Sequence, residues 1–546
     1  MQPLPNPQDT QVGGCSQSEI VAQTDKLQVS HRLHSPSQQT PAQIEMVSKS
    51  DSANNSASEM QSDLKAKEEQ ACIDRDKLVE QNAFMSREVS GTQPPSTVQL
   101  NVASESQPAA ASSSNMQPQI REGLVWDDSG LSVEPRWSRE PQIEAINQVC
   151  RRVLTLGPED LCAVTFHAEG CFNKVYLVDT PQGKSIMRVS LPVDPGHKTR
   201  GEVTTLRWIR RMTQIPVPKV IAFDDTRDNE IGFEWILMDL LPGKSAYKMW
   251  RKMSMPAKTW FTEQIAEFQS QLFRRSLEDA KFQSIGTLYA TEDISDPARG
   301  DPTPGRVVAL MFFQGDRYNY DVPRGPFRSS HDWLSAQLAI IRQEALDQDA
   351  NDEDEDSREE AEVCLKVATR LTALLPKIFP AIQDPPERTV LWHDDLSLVN
   401  ILVDGDGKVT GVLDWECVSC EPLWVAAGMP QFLVGNTEEE EPDKDQYGDD
   451  EGEEDDELGS EGKTALYWEN LMEYEKTQLR KVYPAKMKEL WPQWETEVTY
   501  RPLKADFLRA INEILYGWFY GRIHPWIDAV ESGTFPSFKD VVYPKA

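Results

Sequence analysis

The sequence predicts an α+β chain in two lobes, the first small and mainly β, the second larger and mainly α, behind a long N-terminal stretch that forms no core. Three observations predict it. Between Val164 and Leu240 apolar residues fall in short runs bounded by turn residues, the mark of strands. After Gly243 they recur at helical spacing instead, as at Phe261, Ile265, Phe268 and Leu272. Residues 1–118 are dominated by Ser, Gln, Ala, Pro and Asn, a composition that cannot bury enough apolar surface to offset the entropy of ordering it. The expected division is a disordered tail at 1–118, a first lobe at 119–243 and a second lobe at 244–546.

Charge refines this division. The 546 residues carry a formal charge of −33, and two runs hold most of it. Asp347 to Glu362 has ten acidic residues against Arg358, and Glu438 to Glu457 has fourteen against Lys444, a net of −9 and −13. Such runs repel themselves, so acidic disordered insertions are expected at 347–362 and 436–462, solvated or docked on basic partners. The remaining −11 is mild, and no basic stripe for nucleic acid is present. No run reaches the ~18 apolar residues of a membrane helix. Eight scattered cysteines do not resemble a disulfide framework. With no apolar signal segment at the start, a cytoplasmic location is expected. Cys417 and Cys420 form a CxxC without the second pair a zinc site needs.

In chain order, Ile143, Ile146, Val149, Val153 and Leu154 suggest a short helix. Val164 to Phe166, a bend around Gly170, and Val175 to Val178 then read as strand, turn, strand. Backbone amides in such a turn can cradle phosphate, which makes Gly170, Phe172 and Asn173 candidates; a plain hairpin is the alternative. The next strand, Ser185 to Val189, carries Arg188. Thr199 to Met212 reads as a helix with Val203, Leu206, Ile209 and Met212 inward and Glu202 in its first turn. A helix carboxylate paired with the strand cation would hold that cation against nucleotide phosphates. Otherwise Arg188 is a surface charge and Glu202 a helix-dipole acid. Pro216 and Pro218 stop the helix, and strands follow at Val220–Phe223 and Phe233–Leu240. The second ends at Met238, Asp239 and Leu240 before Leu241-Pro242-Gly243, a hinge whose backbone could hydrogen-bond adenine. Beyond the Phe261 helix, Phe507, Ile511, Ile514, Leu515 and Trp518 mark another.

Thr389 to Glu416 is the most informative stretch. Asp395 is followed five residues later by Asn400, and Asp414 comes fourteen after that, each bracketed by apolar strand-like residues. Asp404-Gly405-Asp406-Gly407 supplies the turn of a hairpin that would bring Asn400 and Asp414 together. An amide oxygen and a carboxylate suit Mg²⁺, and Asp395 is placed to accept a hydroxyl proton. The offsets are those of the kinase catalytic loop and its metal-binding Asp.

From about Val164 to Trp526 the chain resembles the aminoglycoside phosphotransferase-like kinases, in particular their large fungal branch. The resemblance is carried by EGCFNKVYLV, IMRVSLP, IPVPKVIAFD, WILMDLLPG, and HDDLSLVNIL followed by LDWE, with IGTLY and RGPF between. It implies a bilobal protein-kinase-like fold and ATP-dependent transfer of the γ-phosphate to a hydroxyl of a small molecule, with ATP and Mg²⁺ as cofactors. It further implies Asp395 as catalytic base, Asn400 and Asp414 as Mg²⁺ ligands, Arg188 and Glu202 as phosphate clamp, and Gly170 to Asn173 over the phosphates. His393 is expected to orient the loop. Two positions depart from the pattern: Arg188 stands where Lys is common, a planar fork in place of a point charge, and Asp394 where Gly is common. A pseudokinase, binding nucleotide as a scaffold, is the alternative reading.

Overall fold

The computed structural model describes residues 121–544 except 129–132, 291–300, 352–354, 383, 385, 449–461 and 517–519. The tail at 1–118 and Trp518 lie outside the described residues. The first lobe opens with the hairpin β1 (Leu124–Asp127) and β2 (Glu134–Trp137) and helix α1 (Ile143–Val153). Its sheet contains β3 (Ala163–Glu169), β4 (Asn173–Thr180), β5 (Gly183–Ser190), then, after helix α2 (His197–Met212), β6 (Val220–Asp224) and β7 (Glu234–Asp239). The order is β3-β4-β5-β7-β6 and every pairing is antiparallel.

Side chains on a strand alternate between faces, and here both faces are buried. Tyr176, Val178, Met187, Val189, Trp235 and Leu237 pack with Ile146, Val149 and Cys150 of α1. Leu177, Ile186, Ile236 and Met238 pack with Val203 of α2. Arg188 has the parity of Ile186, so the pleat itself turns it toward α2. The helix begins two residues earlier than expected, which moves Glu202 into its second turn.

The second lobe starts at β8 (Lys244–Ser245) and continues through α3 (Ala246–Trp250), α4 (Met255–Glu278), β9 (Leu288–Ala290), β10 (Pro302–Pro304), α5 (Leu310–Phe313), α6 (Ser330–Asn351) and α7 (Glu355–Ile378). Next come β11 (Thr389–Trp392), β12 (Ile401–Val403), β13 (Val409–Val412) and β14 (Ser419–Pro422), then α8 (Leu423–Ala426) and α9 (Ala465–Leu490). The chain closes with α10 (Gln493–Thr499), α11 (Pro502–Tyr516), α12 (Ile523–Glu531) and α13 (Phe538–Val542). The architecture is the expected bilobal, kinase-like α+β fold. Among the described residues, no helix is long and apolar enough to cross a membrane.

The segment between the lobes joins the β12–β13 hairpin. Strand β8 pairs with β12, which pairs with β13, and Thr410 Oγ1 donates to the carbonyl of Pro242 (2.7 Å). Gly243 makes this approach feasible. Its φ is +111°, and a Cβ there would lie 2.3 Å from Thr410 Oγ1 and 2.8 Å from the Val403 carbonyl, so only glycine fits.

The acidic run at 347–362 departs from the loop expected of it. Its described parts are the end of α6 and the start of α7, which run against each other. Glu is a good helix former. Ala345, Ala361, Val367 and Ala368 give the pair a buried seam, while Glu355, Asp356, Glu359 and Glu360 stay exposed. The second insertion is described over 436–448 and at Gly462, and its first part is a largely irregular stretch pinned to α9: Glu438 N–H donates to Thr477 Oγ1 (3.0 Å) and Tyr447 packs edge-on against Tyr467. Its remaining acidic residues up to 461 lie outside the described residues.

Candidate active site

Strand β11 is fully buried and delivers the chain into the loop at His393. That ring is itself buried, packed edge-on against Trp415 at 4.6 Å. Its Nδ1 accepts the backbone N–H of Asp395 (3.2 Å), so the proton sits on Nε2, which donates to the Leu413 carbonyl (2.9 Å). This tautomer follows from the partners. His393 thus ties the Asp395 backbone to the Leu413 carbonyl, next to Asp414, from a buried position.

Asn400 is held more tightly still. Its Nδ2 donates to both the carbonyl (3.0 Å) and the carboxylate Oδ2 (2.5 Å) of Asp395. Two acceptors on one side fix the amide's orientation and turn Oδ1 the other way. That oxygen is buried and has no hydrogen-bond partner among the described residues. The Leu413 N–H donates to the Asn400 carbonyl (2.8 Å), and Ile401 pairs with Val412, so the hairpin sets Asp414 beside Asn400. Asp414 adopts φ +67°, a left-handed conformation that strains a non-glycine residue. Buried Trp415, whose indole N–H donates to the Val412 carbonyl (3.0 Å), anchors the bend.

An orphaned amide oxygen beside a carboxylate fits Mg²⁺, which prefers oxygen and takes few protein ligands, leaving the rest to phosphate and water. Among the described residues no group of three His, Cys, Asp or Glu side chains could hold a metal, so a closed all-protein cage is absent from that region. Asp394 adds a third carboxyl group. It is solvent-accessible yet deeply set, and that depth, followed by the charges of Asp395 and Asp414, raises its carboxyl to about 7.

The cations come from the first lobe. Arg188 and Glu202 form a buried ion pair. One turn before Glu202, on the same face of α2, the buried Lys198 donates to Glu416 Oε2 (2.6 Å) and to Asn173 Oδ1 (3.0 Å). Asn173 Nδ2 donates to the same Glu416 oxygen (2.7 Å), and Arg188 Nη2 lies 3.9 Å from it. Burial would raise the Glu416 carboxyl, but Lys198, Arg188 and the hydrogen bonds from Lys198 and Asn173 bring it to about 2.

The remaining sequence candidates take varied places. Gly170 N–H donates to the Asn173 carbonyl (2.7 Å) and closes the turn. Phe172 packs edge-on against Phe313 of α5 at 5.5 Å. The Asn173 side chain is buried and committed to Lys198, Glu416 and the Ser190 hydroxyl (2.8 Å), so it knits the site rather than facing outward. Met238 pairs with Ile186 and Val220, Asp239 N–H donates to the Lys219 carbonyl (3.0 Å), and Leu240 packs against the Val203 cluster. Sequence reasoning missed Lys198 and the pairing of Glu416. No signal marked Lys198, which falls one residue before the helix expected from Thr199 and inside the helix observed from His197.

The profile of the phosphotransferase enzyme family matches residues 163–458, just over half of the chain. A subtelomeric hrmA-associated cluster protein of Aspergillus fumigatus is 29% identical over 306 residues, 48% of this chain and 59% of that protein. Clavilactone A biosynthesis cluster protein Y of Ampulloclitocybe clavipes is 27% identical over 239 residues, covering 43% and 53%. The chain thus spans between half and three-fifths of the length of these relatives. Among solved structures, aminoglycoside phosphotransferase APH(4)-Ia is 13% identical, with 72% of this chain and 100% of that chain covered at a TM-score of 0.36. Macrolide 2'-phosphotransferase MphH from Brachybacterium faecium is 14% identical, with 74% and 99% covered at 0.32. The family profile spans both the Arg188–Glu202 ion pair and the Asp395–Asp414 loop and covers more than half of the sequence: the chain belongs to the phosphotransferase enzyme family.

Proposed function

We propose that the protein is an ATP-dependent kinase that transfers the γ-phosphate, with Mg²⁺, to a hydroxyl of a small molecule. The observation that carries this reading is the Asp395–Asn400 pair, one amide holding the base by its nitrogen while its buried oxygen has no hydrogen-bond partner among the described residues. Asp395 orients the acceptor hydroxyl and takes its proton as the acceptor oxygen bonds to the γ-phosphorus and the bond to the ADP oxygen breaks. Asn400 and Asp414 would hold Mg²⁺, which when bound neutralises charge on the phosphates. Arg188, fixed by Glu202, supplies positive charge from the other lobe. Because the transferred group passes through a loose transition state, these residues act mainly by positioning and electrostatics. The name of one fungal relative, clavilactone A biosynthesis cluster protein Y, accords with a small-molecule acceptor.

The test is turnover of MgATP by purified protein across a panel of hydroxyl compounds. Asp395→Asn and Asp414→Ala should each lower turnover roughly 10²-fold or more, with the fold retained by circular dichroism. Nucleotide binding without turnover in the wild type would select the scaffold reading instead. Absence of any MgATP-induced thermal shift would exclude both.

A further inference from the structure

We infer that Glu416 is a positioning residue of the phosphotransferase site: its carboxylate, acting through Lys198 and Arg188, holds the cation-bearing face of the first lobe in register with the loop that carries Asp414. This rests on the phosphotransferase reading and says how the two halves of that site are aligned.

Four elements meet at one oxygen. Asn173 from β4, Lys198 from α2 and Arg188 from β5 all converge on Glu416 Oε2, two residues past Asp414. Lys198 is almost wholly buried, where an ammonium is tolerated only if paired and fully hydrogen-bonded. Its three protons meet three acceptors: Glu416 Oε2, Asn173 Oδ1 and Ser190 Oγ (3.5 Å). The loop is bent to reach this point. Asp414 and Cys417 both have positive φ (67° and 59°), and buried Trp415 is wedged between Asp414 and Glu416, so displacement of Glu416 pulls directly on Asp414.

The node is separable from mere attachment of the lobes, which are joined elsewhere. Arg306 holds buried Asp194 through two hydrogen bonds (3.1 and 3.2 Å), Phe172 packs on Phe313, and Gly201 of α2 abuts Thr287. Loss of the Glu416 charge should therefore alter catalysis more than folding.

The experiment compares wild type with Glu416→Gln, Glu416→Asp, Lys198→Met and the double variant Glu416→Gln/Lys198→Met. Readouts are KM for MgATP, the Mg²⁺ concentration for half-maximal turnover, binding of a fluorescent ADP with and without Mg²⁺, and the melting temperature. Glu416→Gln and Lys198→Met should each raise KM and the Mg²⁺ requirement about 10-fold, with Glu416→Asp intermediate, and weaken Mg²⁺-ADP more than ADP alone. Because both act through one contact, the double variant should be no worse than the worse single one. Lowered melting temperatures with unchanged KM and Mg²⁺ dependence would overturn the inference and leave Glu416 a structural tie, as would single effects that multiply in the double variant. A wild type that neither turns over ATP nor binds Mg²⁺-ADP would overturn the phosphotransferase reading itself, and this inference with it.

Discussion

Glu234 and Glu416 are two mostly buried carboxylates driven in opposite directions. Burial raises Glu234 from its ordinary 4.5 to about 7, although the hydroxyl of Thr199 and the backbone N–H of Gly196 (2.6 Å) favour its ionised form. Glu416, held by Lys198 and Arg188 against the same penalty, falls to about 2. Their effects on stability have opposite signs. Between pH 4.5 and 7 the folded state keeps the Glu234 proton that the unfolded state releases, so this residue's contribution declines as pH rises through that window. Glu416 contributes stability above pH 4.5 that is lost as pH falls toward 2. Glu234→Gln should flatten the decline between pH 5 and 8 in urea unfolding, an effect of at most about 3 kcal/mol; an unchanged slope would show that the charge of Glu234 is compensated locally. At this scale the sequence was most legible where chemistry is local. Asp395, Asn400 and Asp414 lie on one loop and hairpin, so their spacing implies their meeting. Lys198 was not legible, because lysine is almost never buried and its partners, Asn173 and Glu416, are 25 and 218 positions away.

Elements show the same contrast. The period-two runs of the first lobe and the 3.6-period stripes of α4 and α11 announce themselves because each buries a continuous face. The acidic helical pair did not, since its charge overshadows a seam made largely of alanine, and helix formation there depends on a partner that composition does not reveal. Contacts between elements add constraints that no periodicity conveys. Gly201 sits inside α2, where alanine would ordinarily add roughly 1 kcal/mol of helix stability. Here a Cβ would lie 2.4 Å from Thr287 Cγ2. Gly201→Ala should therefore destabilise the protein, by about 1–3 kcal/mol for an overpacked contact. Adding Thr287→Ser removes the offending methyl and keeps the hydroxyl that accepts from Val308 N–H and pairs with Ser419. Denaturation of the double variant should return to wild-type stability or above. If Thr287→Ser brings no recovery, the clash lies with the Leu288 backbone instead.

Across the whole molecule, residues 302–327 belong to the second lobe's core through Val307, Met311, Phe312 and Phe327 and also fasten onto the first lobe. Arg306 takes Asp194, Phe313 takes Phe172, Arg121 donates to the carbonyls of Phe313 and Gly315 (2.9 and 3.1 Å), and Gln314 reaches the Val133 carbonyl (3.1 Å). Arg306→Ala strands the Asp194 carboxylate in the interior. Since Arg306 is partly exposed, calorimetry should show a loss of about 2–3 kcal/mol, below the ~3–5 of a wholly buried pair. Asp194→Asn in the same background should recover part of it; failure to do so would mean that Asp194 is solvated once Arg306 is gone.

The fastening has a consequence for synthesis. Leu206, Trp208 and Ile209 of α2 belong to the same core as Phe261, Phe282 and Trp392, so while Val203 packs on the first-lobe sheet, these three are covered largely by residues that leave the ribosome later. The first lobe's strands are all present once Asp239 has emerged, but a nascent chain halted at the hinge would present a greasy, unsheltered helix. Completion of one lobe therefore waits on translation of the other, and the boundary at Gly243 divides the labour of the site without dividing the folding of the chain.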